Sequence, residues 1–204
     1  MFRKLSVPLL VLPILIYSLS FITILSISAN LVPNHLLFFG IGLIFYLLFL
    51  FLDPVYLKYY SKFIYPACVV LLLVTYLLGV TKFGAVRWLN IGLFTFQPSE
   101  IAKIVLILTF ASYVSFKQKA VESFKDFVVI CLMVILLTLL VFLQPDLGTS
   151  IVILFTFLIL YLGSFFNKYY LLIAILLVGV FSAPMWNLLK DYQKERVLIF
   201  LGNI

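Results

Sequence analysis

From Leu5 to Leu52 the chain carries no Lys, Arg, Asp or Glu. A helix crosses a bilayer in about 20 apolar residues, so this stretch is too long for a single span. Asn30, Pro33, Asn34 and His35 interrupt it near the middle and predict two helices, near 6–28 and 36–52. A pair of apolar helices without one formal charge is at home only in lipid, where helices satisfy their own backbone hydrogen bonds. The rest of the chain repeats the pattern. Hydrophobic residues make up 66% and charged residues 10%, with a mean hydropathy of +1.29. The expected fold class is all-α integral membrane: a polytopic helical bundle with about seven transmembrane helices.

Asp53-Pro54 ends the second helix, and Lys58 and Lys62 mark a short polar loop. A third helix is expected near 63–80. An irregular segment follows, GVTKFGAVRWLNIGLFTFQ, and a fourth helix starts at Pro98 and runs to about Phe116. Lys117, Lys119 and Lys125 form the next loop. Further helices are expected near 127–143, 147–166 and 169–188, followed by the tail KDYQKERVLIFLGNI. Residues 1–188 thus read as the bundle and 189–204 as the opening of a loop. Met1-Phe2-Arg3-Lys4 resembles the start of a signal peptide, but no small-residue cleavage site follows, so an uncleaved first helix is expected. The chain stops at IFLGNI with no closing polar tail, as expected of a fragment.

The formal charge is +7. Its cations sit in short clusters between apolar spans, which fits the positive-inside rule and argues against nucleic acid as a partner. With the N-terminus inside, the inner loops hold Arg3, Lys4, Lys58, Lys62, Lys117, Lys119, Lys125 and Lys168. The outer segments hold Lys82, Arg87, Lys190, Lys194 and Arg196. Cys68 and Cys131 lie in apolar spans and read as small buried hydrophobes. No metal-ligand spacing, nucleophile motif or glycine-rich phosphate loop is present, and whether a cofactor is used is open.

Two matching turns stand out, FQPSEIAK at Phe96–Lys103 and FLQPDLGT at Phe142–Thr149. Each sets Gln-Pro before an acidic residue, in a chain with only seven acids. Both fall on the expected outer face. Pro98 suits the first turn of a helix, and Glu100 and Asp146 then fall near a positive helix end. Capping and a functional role are both open for each acid. Lys103 lies three residues after Glu100 on the same face. Pairing is the economical outcome there, as a structural brace or as the wall of a polar pocket facing inward. Neutralising Glu100, as the partner of Lys103, should hurt folding or activity more than neutralising Glu122 in a solvated inner loop. Lys82, Arg87 and Trp88 suit either headgroup contacts or a site for the phosphate of an anionic lipid. His35 reads as a turn or interface residue.

GAVRWLNIG, FQPSEIAK, FLQPDLGTS and DYQKERV, in that order, closely resemble the SEDS family, the shape, elongation, division and sporulation family of bacterial membrane glycosyltransferases. DYQKERV and the short N-terminus lie closer to its rod-shape branch than to its division branch. The resemblance implies an enzyme of usually ten helices in the bacterial inner membrane, with its N-terminus cytoplasmic. It implies that lipid II is polymerised at the outer face, beside a class B penicillin-binding transpeptidase. By motif, Arg87, Glu100, Lys103 and Asp146 would line or brace an outward polar cavity. Gln97, Pro98, Gln144, Pro145, Gly148 and Thr149 would shape the turns. Asp191, Tyr192, Gln193 and Arg196 would open a large extracytoplasmic loop. The family's catalytic carboxylate lies further along that loop, beyond Ile204, so this chain is expected to be inactive alone. Two other readings stand beside the polymerase: a flippase or transporter of lipid-linked precursors, which expects charges at the midplane, and a non-catalytic scaffold for the transpeptidase.

Overall fold

A computed structural model describes residues 7–82, 85–92, 95–117, 123–164, 167–173, 175–176, 194–195 and 198–199. Its elements are α1 (Val7–Ile27), a 3-10 turn at Ala29–Leu31, α2 (Val32–Phe51), α3 (Pro54–Leu78), β1 (Val80–Lys82), β2 (Ala85–Asn90), β3 (Thr95–Phe96), α4 (Pro98–Lys117), α5 (Phe124–Leu143) and α6 (Leu147–Leu162). The chain is a polytopic helical membrane protein. Ala29–Phe51, Pro54–Leu78, Pro98–Lys117 and Phe124–Leu143 are long and apolar enough to cross a bilayer, and Val11–Ile27 and Leu147–Leu162 are shorter apolar helices. Residues 168–173 are helical, at the start of the seventh helix expected over 169–188. The remainder of that helix lies largely outside the described residues, as do Asp191, Tyr192, Gln193 and Arg196.

Two compact units are present, Met1–Asp53 and Pro54–Ile204. In the first, α1 and α2 meet through rings. Tyr17 stacks on Phe39 with centroids 3.6 Å apart and on His35 at 5.0 Å, so His35, expected as a turn or interface residue, instead sits within α2 as part of a ring stack. Helix α2 begins four residues earlier than the sequence suggests, because Pro33 fits the first turn, where its missing N–H costs nothing.

The second unit holds the core. Leu72 of α3, Ala102, Val105 and Leu106 of α4, Leu137 and Val141 of α5, and Ile153 and Tyr161 of α6 are buried together, with Cys68 among them. Cys68 and Cys131 are both free thiols. The expected polar loop at Lys58 and Lys62 is instead part of the first three turns of α3. Pro54 opens that helix, and long lysine stems can reach the interface from within it. Lys58 Nζ donates to the Ser115 carbonyl at 3.3 Å.

The segment expected to be irregular is a three-stranded sheet in the order β1-β2-β3. Val80 pairs with Trp88 and Lys82 with Ala85, while Leu89 pairs with Phe96 and Asn90 with Thr95. Strands this short carry almost no period-2 signal, which is why the sequence reads as loop. Asn90 Oδ1 accepts from the Gly92 N–H at 3.0 Å, and Gly92 takes φ +87° to turn the chain toward β3. Gly79 lets the end of α3 run directly under β2. A Cβ there would collide with the Thr75 carbonyl oxygen and lie 2.9 Å from Val86 Cγ1. Gly79→Ala should therefore destabilise the fold by about 1–3 kcal/mol, measured by thermal unfolding in detergent. An unchanged midpoint would mean that the corner opens without cost.

Candidate functional site

The two Gln-Pro turns meet in space. Asp146 is the N-cap of α6, and its Oδ1 accepts the Thr149 N–H at 3.3 Å. Thr149 Oγ1 donates to Oδ2 at 2.9 Å. Gln97, the residue before α4, donates its Nε2 to the same Oδ2 at 2.9 Å and also to Ser99 Oγ at 2.9 Å. Arg87 of β2 places Nη1 3.2 Å from Oδ1. A carboxylate has about four acceptor positions, and here four donors converge on them. The Asp146 side chain is only 5% exposed. An acid saturated in this way has no lone pair left to take a proton from a substrate. Its geometry is that of a brace.

Gln144 is fully buried and donates Nε2 to the Leu72 carbonyl of α3 at 2.9 Å. Pro98 is buried as the first residue of α4, with Glu100 in the first turn. The second turn differs in detail from the first. Pro145 lies before the cap and Leu147 opens the helix, so Asp146 caps through its side chain and Glu100 does not. Gly148 sits in the first turn of α6 with open space around it. Arg87 Nε and Gln144 Oε1 are buried without a protein partner among the described residues. Arg87 thus keeps one uncommitted donor although Asp146 neutralises its charge.

Glu100 and Lys103 pair as expected, with Lys103 Nζ 2.9 Å from both carboxylate oxygens. Their position differs from the expectation. The buried arc of α4 is Pro98, Ser99, Ala102, Val105, Leu106 and Thr109. Glu100 lies opposite it, with a side chain 57% exposed, against 27% for Lys103. A 100° step per residue carries position 100 away from the face formed by 98, 102, 105 and 109. Arg87 and Asp146 therefore brace, and Glu100 and Lys103 form an accessible charged pair on the outer side of α4.

One polar cluster carries only a weak signal in the sequence. At the other end of α4 and the start of α5, Tyr113 OH donates to Asp126 Oδ1 at 2.6 Å, and Lys117 Nζ lies 2.9 Å from the same oxygen. Asp126 is 4% exposed. The signal was present as Ser123-x-x-Asp126, a capping-box spacing, and Ser123 caps α5 by accepting the Lys125 N–H. Helix α5 starts three residues before the expected 127 for this reason. Among the described residues no group of three His, Cys, Asp or Glu could hold a metal ion.

Asp146→Asn leaves Arg87 without its counter-charge in a largely buried site. The loss should be about 3 kcal/mol, the low end for a buried pair because Arg87 is 18% exposed. Glu100→Gln should cost ~0–1 kcal/mol in this chain. Parallel thermal unfolding of the two variants checks the order, and equal losses would remove the distinction between brace and accessible pair.

Residues 3–204 match the family model of the cell cycle proteins FtsW, RodA and SpoVE. The chain is 32% identical over 163 residues to the peptidoglycan glycosyltransferase MrdB of Escherichia coli K12, covering 79% of this chain and 44% of that protein. It is 31% identical over 197 residues to MrdB of Helicobacter pylori J99, covering 94% and 51%. It is 34% identical over 188 residues to the probable peptidoglycan glycosyltransferase FtsW of Buchnera aphidicola, covering 87% and 46%. The chain spans about half the length of these relatives. Among solved structures it resembles a chain of a peptidoglycan synthase complex that coordinates polymerization and crosslinking. That likeness has TM-score 0.81 and 28% identity, over 97% of this chain and 59% of that one. It also resembles the rod shape determining protein RodA of Thermus thermophilus, with TM-score 0.75 and 26% identity, over 88% and 60%. The motifs, the helical membrane fold and these matches together place the chain in the FtsW/RodA/SpoVE (SEDS) family, with a RodA-like character.

Proposed function

We propose that the chain is the N-terminal, seven-helix part of a RodA-like peptidoglycan glycosyltransferase of the bacterial inner membrane. In this reading its N-terminus is cytoplasmic and the Gln-Pro turns lie on the outer face. The enzyme polymerises lipid II in cell elongation and works beside a class B penicillin-binding transpeptidase. The observation that carries the reading is the family match over residues 3–204. The names of the curated relatives, peptidoglycan glycosyltransferases, supply the reaction class. The synthase complex among the structural relatives supports a crosslinking partner.

The site residues fit distinct roles in such an enzyme. Arg87, Gln97 and Asp146 lock β2, α4 and α6 together at one end. That lock holds Glu100 and Lys103 at a fixed place on the accessible side of α4. A preset charged pair can bind and orient a polar lipid-linked sugar without reorganising during reaction. The transporter reading expects charges near the midplane. On α3 to α6 the charged residues are Lys58, Lys62, Glu100, Lys103, Lys117, Lys125 and Asp126, all within three turns of a helix end. That placement favours chemistry at a membrane face over passage through the bundle.

In this reading the catalytic carboxylate belongs to the part of the relatives that this chain does not span, so the chain is expected to yield no glycan from lipid II by itself. Joining it to the remaining segment of a RodA relative should restore polymerisation, read as glycan strands on a gel. Product from the purified chain alone would sink the division of labour. Lipid II translocation in liposomes, without polymer, would favour the flippase reading. Co-purification with a transpeptidase, with neither activity restored, would favour the scaffold.

A further inference from the structure

The end of the Pro54–Ile204 unit opposite Asp146 gathers lysines. The Lys58 contact to Ser115 sets the start of α3 beside the end of α4, and the Lys117–Asp126 pair sets the end of α4 beside the start of α5. Phe127 meets Tyr161 with centroids 5.7 Å apart, and Phe124 meets Tyr170 at 5.3 Å. These contacts bring the end of α6 and the residues after it to the same place. Lys168 donates there to the carbonyls of Tyr161, Leu162 and Ser164 at 3.0, 2.8 and 2.6 Å. Lys58, Lys62, Lys117, Lys125 and Lys168 therefore share one end of the bundle.

Counted by loops, the charge bias of the sequence is modest. Among the described side chains, pairing sharpens it. At the opposite end, Arg87 and Lys103 are both ion-paired with carboxylates. At the lysine end Asp126 neutralises Lys117 alone. Lys58 and Lys168 are held by carbonyls, which position an ammonium but leave its charge intact. Lys62 and Lys125 are exposed and form no ion pair among the described residues. The cations also sit on aromatic rings: Lys58 Nζ is 4.4 Å from the Phe116 centroid and Lys62 Nζ 5.0 Å from that of Phe63. Exposed Tyr59, Tyr60 and Phe124 extend this belt. Aromatic rings with uncompensated ammonium groups at the mouths of apolar helices match the interfacial layer of a bilayer.

We propose that this end docks anionic phospholipid headgroups, with Lys62 and Lys125 as the mobile contacts and Lys58 and Lys168 as the prepositioned ones. A phosphodiester supplies negative charge beyond that of Asp53 and Asp126, two carboxylates set against five lysines. The attached acyl chains run along the apolar helix faces below. Each juxtamembrane lysine strengthens attraction to an anionic surface by about fivefold. The placement rests on the membrane-spanning fold and not on the enzymatic reading.

The test is thermal stabilisation of the full chain in neutral detergent, titrated with phosphatidylglycerol or with phosphatidylcholine. Phosphatidylglycerol should stabilise at lower concentration, and the difference should shrink in about 0.5 M salt, where the Debye length falls to a few ångströms. Lys62→Gln with Lys125→Gln should raise the half-saturating phosphatidylglycerol concentration about 25-fold, at about fivefold per lysine. The double Arg variant should restore it. An unchanged midpoint of the Gln variant in phosphatidylcholine establishes that it folds. A variant that is unstable there hands the test to the salt series and the Arg variant. Equal response to the two lipids, an unaffected Gln variant, or the same stabilisation by free glycerol phosphate would each overturn the proposal.

Discussion

The carboxylate of Asp146 accepts from three separate stretches of chain: Arg87 of β2, Gln97 ahead of α4, and Thr149 of α6. Two residues earlier, Gln144 reaches the Leu72 carbonyl of α3. One short turn therefore touches α3, α4, α6 and the sheet. Burying any one of these polar groups without a partner costs a few kcal/mol. Together they satisfy most of one another's bonding capacity, and the arrangement forms as a unit. The apolar packing below, from Leu72 through Leu137 to Ile153, supplies most of the attraction but little of the register. Dispersion between Leu and Ile side chains tolerates sliding, whereas four converging donors on one carboxylate do not.

That lock separates two kinds of charge. Arg87 and Asp146 neutralise each other in the interior and hold geometry. Glu100 and Lys103 neutralise each other on the open side of α4 and remain reachable. The opposite end is built on another principle. Lys117 pairs there with Asp126, but Lys58 and Lys168 are set by carbonyls and Lys58 also by an aromatic ring, so these two keep their positive charge. The two ends of the unit are polar for different reasons, and only one of them is close to electrical balance among the described side chains.

Much of this was legible in the chain. The spans at 98–116 and 127–143 differ from the observed helices by only one to three residues, because Pro98 and the long apolar runs are strong local signals. The Glu100–Lys103 pair was legible because i,i+3 neighbours on a helix meet whatever surrounds them. The β-structure was not, since its strands run only two to six residues and owe their pairing to partners across turns. Asp126 is not legible as a buried acid because it stands among lysines, a setting that reads as a solvated loop. Its burial comes from Tyr113, one turn back along α4 from Lys117.

By itself the sequence determined the solvent of this protein, the approximate number and order of its helices, and the two turns where polar chemistry gathers. These follow from hydropathy, proline placement and neighbours within one helical turn, all of which act over a few residues. Tertiary structure alone decided which acid is a brace and which is accessible. Asp146 meets Gln97 across 49 residues of chain, and no local rule connects them. Glu100 and Asp146 look alike in sequence, each just after Gln-Pro. Their environments diverge because helix rotation turns Glu100 away from the core while the packing of α6 beside α4 carries Asp146 into it.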